Sequence, residues 1–407
     1  MRGARLAVVV AALGYFVDIY DLLIFGIVRA PSLKSIGIAA DAQLGPTQWI
    51  LNSQMIALLL GGILWGTLGD KRGRISVLFG SIILYSLANI ANGFVHTVPQ
   101  YAAARFFAGL GLAGELGGGI TLVSESLDDK TRGYGTTIVS SFGIFGAVAG
   151  VLVAKLAMQH SSEGWRTAYF IGGGLGLALL LLRVGVLESG VFEKIKADTS
   201  IQRGNFFSLF TSRSRIQRYL TVILVGVPIW YAVAILVTTA PEMGKAMGMT
   251  QVPDAAITIL FNYAALAIGG FASGILSQRL RSRKRALLVF LIITAISLPI
   301  YFLLGRESLF MFYAASVVLG FGTGYWSVFV TVAAEQFGTN VRATAATTAP
   351  NFVRGSVVPV TLAFNALKGS LGVVGSAAVV GSATLVIALL ALAGLTETFG
   401  KSLDFVE

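Results

Sequence analysis

The sequence predicts an all-α membrane protein, with 12 transmembrane helices arranged as two six-helix repeats, and three observations carry that prediction. Of its 407 residues 55% are hydrophobic and 12% charged, at a mean hydropathy of +0.80; a soluble chain of this length could not bury so much apolar surface. Stretches 75–104, 133–154, 167–182, 219–240, 255–278, 286–305, 308–334 and 369–396 contain no Asp, Glu, Lys or Arg. A hydrocarbon core about 30 Å thick takes roughly 20 helical residues to cross, so most of these are full spans and 167–182 is slightly short. Finally, segments recur. Glu125 and Arg132 are seven residues apart, as are Glu335 and Arg342, and the second pair lies 210 positions after the first. Gly66-x-Leu68-x-Asp70 is echoed by Gly274-x-Leu276-x-Gln278 at an offset of 208.

Taken in order, helices are expected near 5–29, 47–68, 74–95, 99–124, 134–158, 166–187, 218–241, 255–278, 286–304, 308–333, 343–367 and 371–395. No strand alternation recurs at regular spacing, which argues against a barrel and leaves a helical bundle whose backbone hydrogen bonds close internally. Arg2 and Arg5 precede an apolar run, as in a signal peptide, but the run continues through Asp18 and Asp21 to Arg29 without a small-residue cleavage pattern. A polar stretch of mixed charge, 188–218, divides the chain into an N-terminal six-helix bundle (1–190), a cytoplasmic linker (191–217) and a C-terminal six-helix bundle (218–407).

The net charge of +11 could suggest nucleic acid, but the cations are distributed by loop. Arg2 and Arg5, Lys71 to Arg74, Lys130 and Arg132, the cations of 194–218, Arg279 to Arg285, Arg342 and Lys401 occupy alternate connections. That is the positive-inside pattern; it puts both termini in the cytoplasm, in a bacterial inner membrane, and makes the basic excess topological, with no nucleic-acid partner. The absence of cysteine excludes a disulfide framework and a thiolate metal site. His96 and His160 fall in outer loops and read as solvated residues. There is no phosphate-binding Gly-rich loop with Lys and Ser/Thr and no visible nucleophile–base pair, so no cofactor, metal or enzymatic activity is expected.

Charges inside the spans are the candidates for chemistry. Asp18 and Asp21 share a face of the first helix with Tyr15. A carboxylate in hydrocarbon is costly unless paired, hydrated or protonated, so these face a cavity and can load and release a proton; the alternative is a structural ion pair. Arg105 is the cation of the fourth helix. Glu115, within a glycine-rich run, can pack helices or contact ligand. Arg354 is the sole charge in the middle of a second-half span. Its guanidinium suits a carboxylate or phosphate on the substrate, or else an internal partner such as Glu115. Tyr231, Trp230, Asn262, Tyr263, Tyr325 and Trp326 could line a polar cavity. Asp70, Arg74, Glu125, Arg132, Glu335 and Arg342 form a candidate gate, bridging neighbours when the inner side is closed.

Gly66-x-Leu68-x-Asp70-Lys71-x-Gly73-Arg74 resembles the cytoplasmic signature of the major facilitator superfamily at every main position. Arg105-x-x-x-Gly109-x-Gly111 resembles that superfamily's fourth-helix motif. Glu188-Ser-Gly and Glu397-Thr-x-Gly400-x-x-Leu403 resemble the ends of the two halves in its sugar porters and metabolite:proton symporters. The resemblance implies alternating access between two halves and a pairing of Asp18 or Asp21 with Arg105, as in proton-coupled sugar porters. Gly143, Gly146 and Gly150 lack the proline that drug:proton antiporters carry there. The expected function is therefore secondary active transport of a small polar metabolite, carboxylate-bearing or zwitterionic, by a monomer with proton symport. An exporter of amphipathic compounds and a non-transporting membrane sensor are the alternatives.

Overall fold

The computed structural model describes residues 2–72, 74–127, 129–188, 206–338 and 341–401. The described elements are helices: α1 (Arg2–Ser35), α2 (Leu44–Arg72), α3 (Arg74–Asn92), α4 (Val98–Leu112), α5 (Glu115–Ser126), α6 (Asp129–His160), α7 (Gly164–Glu188), α8 (Arg213–Tyr231), α9 (Ala240–Ala246), α10 (Ala255–Arg279), α11 (Arg283–Pro299), α12 (Leu309–Thr323), α13 (Trp326–Glu335), α14 (Arg342–Gly355) and α15 (Val357–Gly394). Among the described residues nine helical stretches are long and apolar enough to cross a membrane, one of them the 51-residue stretch Thr344–Gly394.

Polar side chains start several helices. Thr97, Ser212, Asp254, Ser282 and Ser308 each accept a hydrogen bond from the amide three residues on, satisfying a donor that the helix itself leaves open. Ser212 explains one correction: the helix expected from 218 begins at Arg213, and Phe206–Phe210 of the expected 191–217 linker forms a short 3-10 turn. Two further corrections concern helices expected to be continuous. The one expected over 99–124 breaks at Ala113–Gly114 into α4 and α5, and the one over 308–333 breaks at Gly324–Tyr325 into α12 and α13. The helix kinks at Gly372, whose φ of 68° is a positive value that only glycine adopts freely, at the start of the stretch expected as 371–395.

Backbones approach closely beside both breaks. A Cβ on Gly109 of α4 would run into the Gln54 carbonyl of α2, and one on Gly61 of α2 into the Leu110 carbonyl of α4. The same crossing recurs between α10 and α12: Gly320 lies on the Asn262 carbonyl and Gly269 on the Phe321 carbonyl. Each α10 residue stands 208 positions after its α2 counterpart, and each α12 residue 211 after its α4 counterpart. With no Cβ in the way, backbones close to van der Waals contact, which drives helix association in lipid.

Polarity is inverted relative to a soluble protein. Leu60, Leu87, Leu156, Leu181, Ile296 and Leu390 are exposed on the perimeter, whereas Asp18, Asp21, Arg105, Glu115, Arg183 and Arg354 are buried. Such an exterior suits lipid, and the charges inside it require partners.

Candidate functional site

The site lies where α1 meets α8, α10, α13 and α14. Asp18 and Arg354 are both fully buried, and Arg354 Nη2 donates to Asp18 Oδ2 at 3.4 Å. Arg354 Nη1 donates to Asn351 Oδ1 at 3.3 Å, and Asn351 Nδ2 donates to the Ala113 carbonyl at the α4–α5 break. The guanidinium stands 5.9 Å from the ring centre of Trp230 and 5.8 Å from that of Trp326, which meet edge to face. Trp326 Nε1 donates to the Tyr15 hydroxyl at 2.8 Å. Tyr263 is buried within electrostatic range of Tyr15 and Arg354. One cation, one carboxylate and an aromatic wall therefore converge from distant parts of the chain.

Asp21 and Arg105 form a neighbouring centre. Arg105 donates to the Asp21 backbone carbonyl at 2.7 Å, to Asn89 Oδ1 at 2.9 Å and to Gln54 Oε1 at 3.3 Å. Among the described residues the direct bonds of Arg105 go to a carbonyl and two amides while its charge acts on the Asp21 carboxylate, and Asp18 is held by Arg354. Glu115 is engaged by Arg183 of α7 through both carboxylate oxygens, one at 3.0 Å from Nη1. It is therefore not the partner of Arg354. Three other candidates hold neighbouring helices: Tyr231 donates to the Ala377 carbonyl, Tyr325 to the Val225 carbonyl and the Asn262 amide to the Ser316 carbonyl.

The site is closed toward both faces of the bundle. On the face away from the termini, Arg29 of α1 forks onto Glu242 of α9 at 2.9 and 2.7 Å, and the Gln48 and Asn365 amides pair reciprocally between α2 and α15. On the terminal side Thr136 bonds Thr331 and Ser141 bonds Ser327 between α6 and α13, while Gly117 packs on Thr347 and Gly133 on Gln278. Of the gate candidates, the side chains of Asp70, Arg74, Glu125 and Arg132 lie outside the described residues. Glu335 receives Arg283 at 2.9 and 3.1 Å and the Thr398 hydroxyl at 2.8 Å, whereas Arg342 donates to the Phe337 carbonyl. Glu397 accepts from the Arg283 and Lys284 amides at the start of α11 and from Ser282. Burial alone would raise its carboxyl pKa, but the Ser282 hydroxyl and the Phe399, Arg283 and Lys284 amides outweigh that and hold it below the ordinary value.

Residues that sequence reasoning missed include Arg183, Arg29, Glu242, Gln54 and Asn89. Arg183 ends a charge-free run and reads as a loop cation. Arg29 was detectable as an arginine at the cation-poor end of its helix, where it needs an acid.

An apolar exterior enclosing a charged site that two sets of helices close at both ends is the build of a membrane transporter. The chain matches the Major Facilitator Superfamily model over residues 11–357, and it belongs to that superfamily. It is 27% identical over 435 residues to a niacin transporter of Acinetobacter baylyi, covering 98% of this chain and 95% of the relative. It is 28% identical over 367 residues to the 3-(3-hydroxy-phenyl)propionate transporter of Escherichia coli, covering 89% and 88%. With the gentisate transporter of Corynebacterium glutamicum it shares 27% identity over 424 residues, covering 98% of this chain and 90% of the relative. Among solved structures it superposes on a proton:xylose symporter with a TM-score of 0.71 at 18% identity, over 98% of this chain and 97% of that one. That likeness establishes the fold.

Proposed function

We propose that this integral membrane transporter moves a small aromatic carboxylate together with a proton by alternating access. The observation that carries the reading is the Arg354 guanidinium between Trp230 and Trp326, bonded to a single oxygen of Asp18. A guanidinium can grip a planar carboxylate through two parallel bonds, and indole faces accept an aromatic ring. The three curated relatives above are named for aromatic acids or niacin, which supports this class.

The mechanism is an exchange of partners at Arg354. Substrate carboxylate takes the guanidinium, and Asp18 loses its counter-charge. A buried carboxylate without a partner favours the protonated form, so substrate and proton enter together. Asp21, with Arg105 fixed on its backbone, is the second proton-carrying group, and Tyr15 links Asp18's helix to the aromatic wall. Glu115, Tyr231, Asn262 and Tyr325 keep a supporting role beside the ligand through the packing already described, and Tyr263 lines it.

The reading includes 12 transmembrane helices in two six-helix repeats. The nine long apolar stretches are completed by α3, by α4 with α5, and by the second of two spans within Thr344–Gly394. The matched α2–α4 and α10–α12 crossings support the repeat, with 1–190 and 218–407 as bundles about a cytoplasmic linker. Both termini then lie in the cytoplasm of a bacterial inner membrane, the protein works as a monomer, and Asp70, Arg74, Glu125, Arg132, Glu335 and Arg342 act at the inner gate. A screen of thermal stabilisation with benzoate, nicotinate, gentisate, sugars and amino acids tests the substrate class. Stabilisation by aromatic acids alone is the expected result; stabilisation only by sugars or amino acids overturns it.

A further inference from the structure

A second polar centre lies inside the first six helices, away from Arg354. Gly172, Gly176 and Arg183 share one face of α7, and Gly14, Asp18 and Asp21 share one face of α1. The two faces meet: a Cβ on Gly172 would strike Asp21 Oδ1, and one on Gly14 would strike both Glu115 and Arg183. A Cβ on Gly176 would strike Ser86 Oγ and the Tyr85 ring of α3. Glycine on α7 therefore leaves a narrow strip, running from Asp21 past Ser86 and Tyr85 toward the Glu115–Arg183 pair.

Polar atoms in that strip are buried without hydrogen-bond partners among the described residues. They are the Tyr85 hydroxyl, Ser86 Oγ and Arg183 Nε, and the Asp21 carboxylate stands beside them against the Asn89 amide. One such group would be an isolated cost, but several together on α3 and α7 form a site. Buried polar groups of this kind are satisfied by internal water, which makes about three hydrogen bonds and so can join neighbouring donors and acceptors. The charged groups facing the strip are Asp18 and Asp21 from α1, Arg105 from α4, Glu115 from α5 and Arg183 from α7, with the phenols of Tyr20, Tyr85 and Tyr169 between them.

We propose that this strip is a hydrated proton relay, carrying the proton of Asp21 past Ser86 and Tyr85 to Glu115 along a route separate from the substrate path at Asp18 and Arg354. The inference rests on the symport reading, in which Asp21 is the second proton-carrying group beside Asp18. The Asp21 O–H bond breaks as a water oxygen accepts its proton, and each water or hydroxyl then passes on one proton for each it receives. The Tyr85 hydroxyl accepts from one side and donates to the other, remaining neutral. The last proton forms an O–H bond on Glu115, which releases it toward the terminal face. Arg183 keeps its own protons and holds Glu115 in place. No electron is transferred.

The test compares Tyr85→Phe and Ser86→Ala with the wild-type chain in proteoliposomes, using benzoate, nicotinate and gentisate as probes. Tyr85→Phe keeps the ring that packs on Gly176 and removes only the hydroxyl. Melting temperature verifies folding, and Ser86→Ala gives an independent small deletion. The relay predicts that substrate exchange, which needs no net proton movement, stays at the wild-type rate in both variants. Substrate-coupled proton uptake and gradient-driven accumulation fall about 100-fold. Wild-type coupling with equal coupling in both variants overturns the relay and leaves symport standing. A wild-type chain that transports a probe without proton uptake overturns symport, and the relay with it.

Discussion

Asp18 and Arg354 lie 336 positions apart and meet at 3.4 Å with neither side chain exposed. This ion pair joins the first helix to the fourteenth element and sits beneath two indoles. At 3.4 Å through a single oxygen it is looser than the forks at Arg29–Glu242 and Arg283–Glu335. A loose internal pair can be displaced by a better-placed carboxylate, whereas a tight fork is suited to holding a face shut.

Arg354→Gln removes the fork that would bind the substrate. Affinity for an aromatic acid is expected to fall by about 2–5 kcal/mol, measured by calorimetry on the purified protein. Arg354→Lys keeps the charge but cannot form two parallel bonds to one carboxylate, so it is expected to recover only part of that affinity. Unchanged affinity in both variants would remove Arg354 from the binding site.

Glu115→Gln leaves Arg183 as a buried cation with no counter-charge. Loss of one partner from a buried ion pair costs about 3–5 kcal/mol, so thermal unfolding in detergent should shift clearly downward. The double change Glu115→Leu with Arg183→Met, which removes both charges, should regain most of that loss. A double variant as unstable as the single one shows that the pair's charge is not what the packing requires.

The Gln48–Asn365 pair and the Arg29–Glu242 fork close the face away from the termini. The chain contains no cysteine, so Gln48→Cys with Asn365→Cys can be joined selectively by a short bifunctional thiol reagent. Cross-linking is expected to stop transport, and cleavage of the linker to restore it. Full transport in the linked protein shows that this face does not open.

Glu397 gives a pH signature at the start of α11. Its folded-state pKa lies below the ordinary value because hydroxyl and amide hydrogen bonds outweigh burial. Its contribution is therefore fully present above the ordinary carboxyl value of about 4.3 and is lost as pH falls through the lower folded value. Thermal stability should decline over that acidic range in the wild type and decline less in Glu397→Gln. Equal slopes assign the acid sensitivity to other carboxyls.

Much of the fold was legible because lipid imposes a simple rule: charge-free stretches of span length fix the positions of most helices. The breaks at Ala113–Gly114 and Gly324–Tyr325 were not legible, because they lie beside close backbone approaches between α4 and α2 and between α12 and α10, which composition does not record. At the candidate site, charges within spans singled out Asp18, Asp21, Arg105, Glu115 and Arg354. Their pairing was not recoverable from spacing. Asp18 turns to Arg354 and Glu115 to Arg183 because of the tertiary positions of α7 and α14, and the family analogy pointed Asp18 or Asp21 to Arg105 instead. The tyrosines read as cavity-lining were ambiguous in sequence, since a phenol bonded to a carbonyl in a neighbouring helix has the same composition as one facing a ligand.

The central claim, that Asp18 couples substrate to a proton by exchanging partners at Arg354, is tested most directly with Asp18→Asn in proteoliposomes. Accumulation of an aromatic acid driven by an inward proton gradient is measured beside exchange of the same acid at zero gradient. The account predicts that exchange persists while gradient-driven accumulation disappears. Accumulation by Asp18→Asn equal to that of the wild type would contradict it.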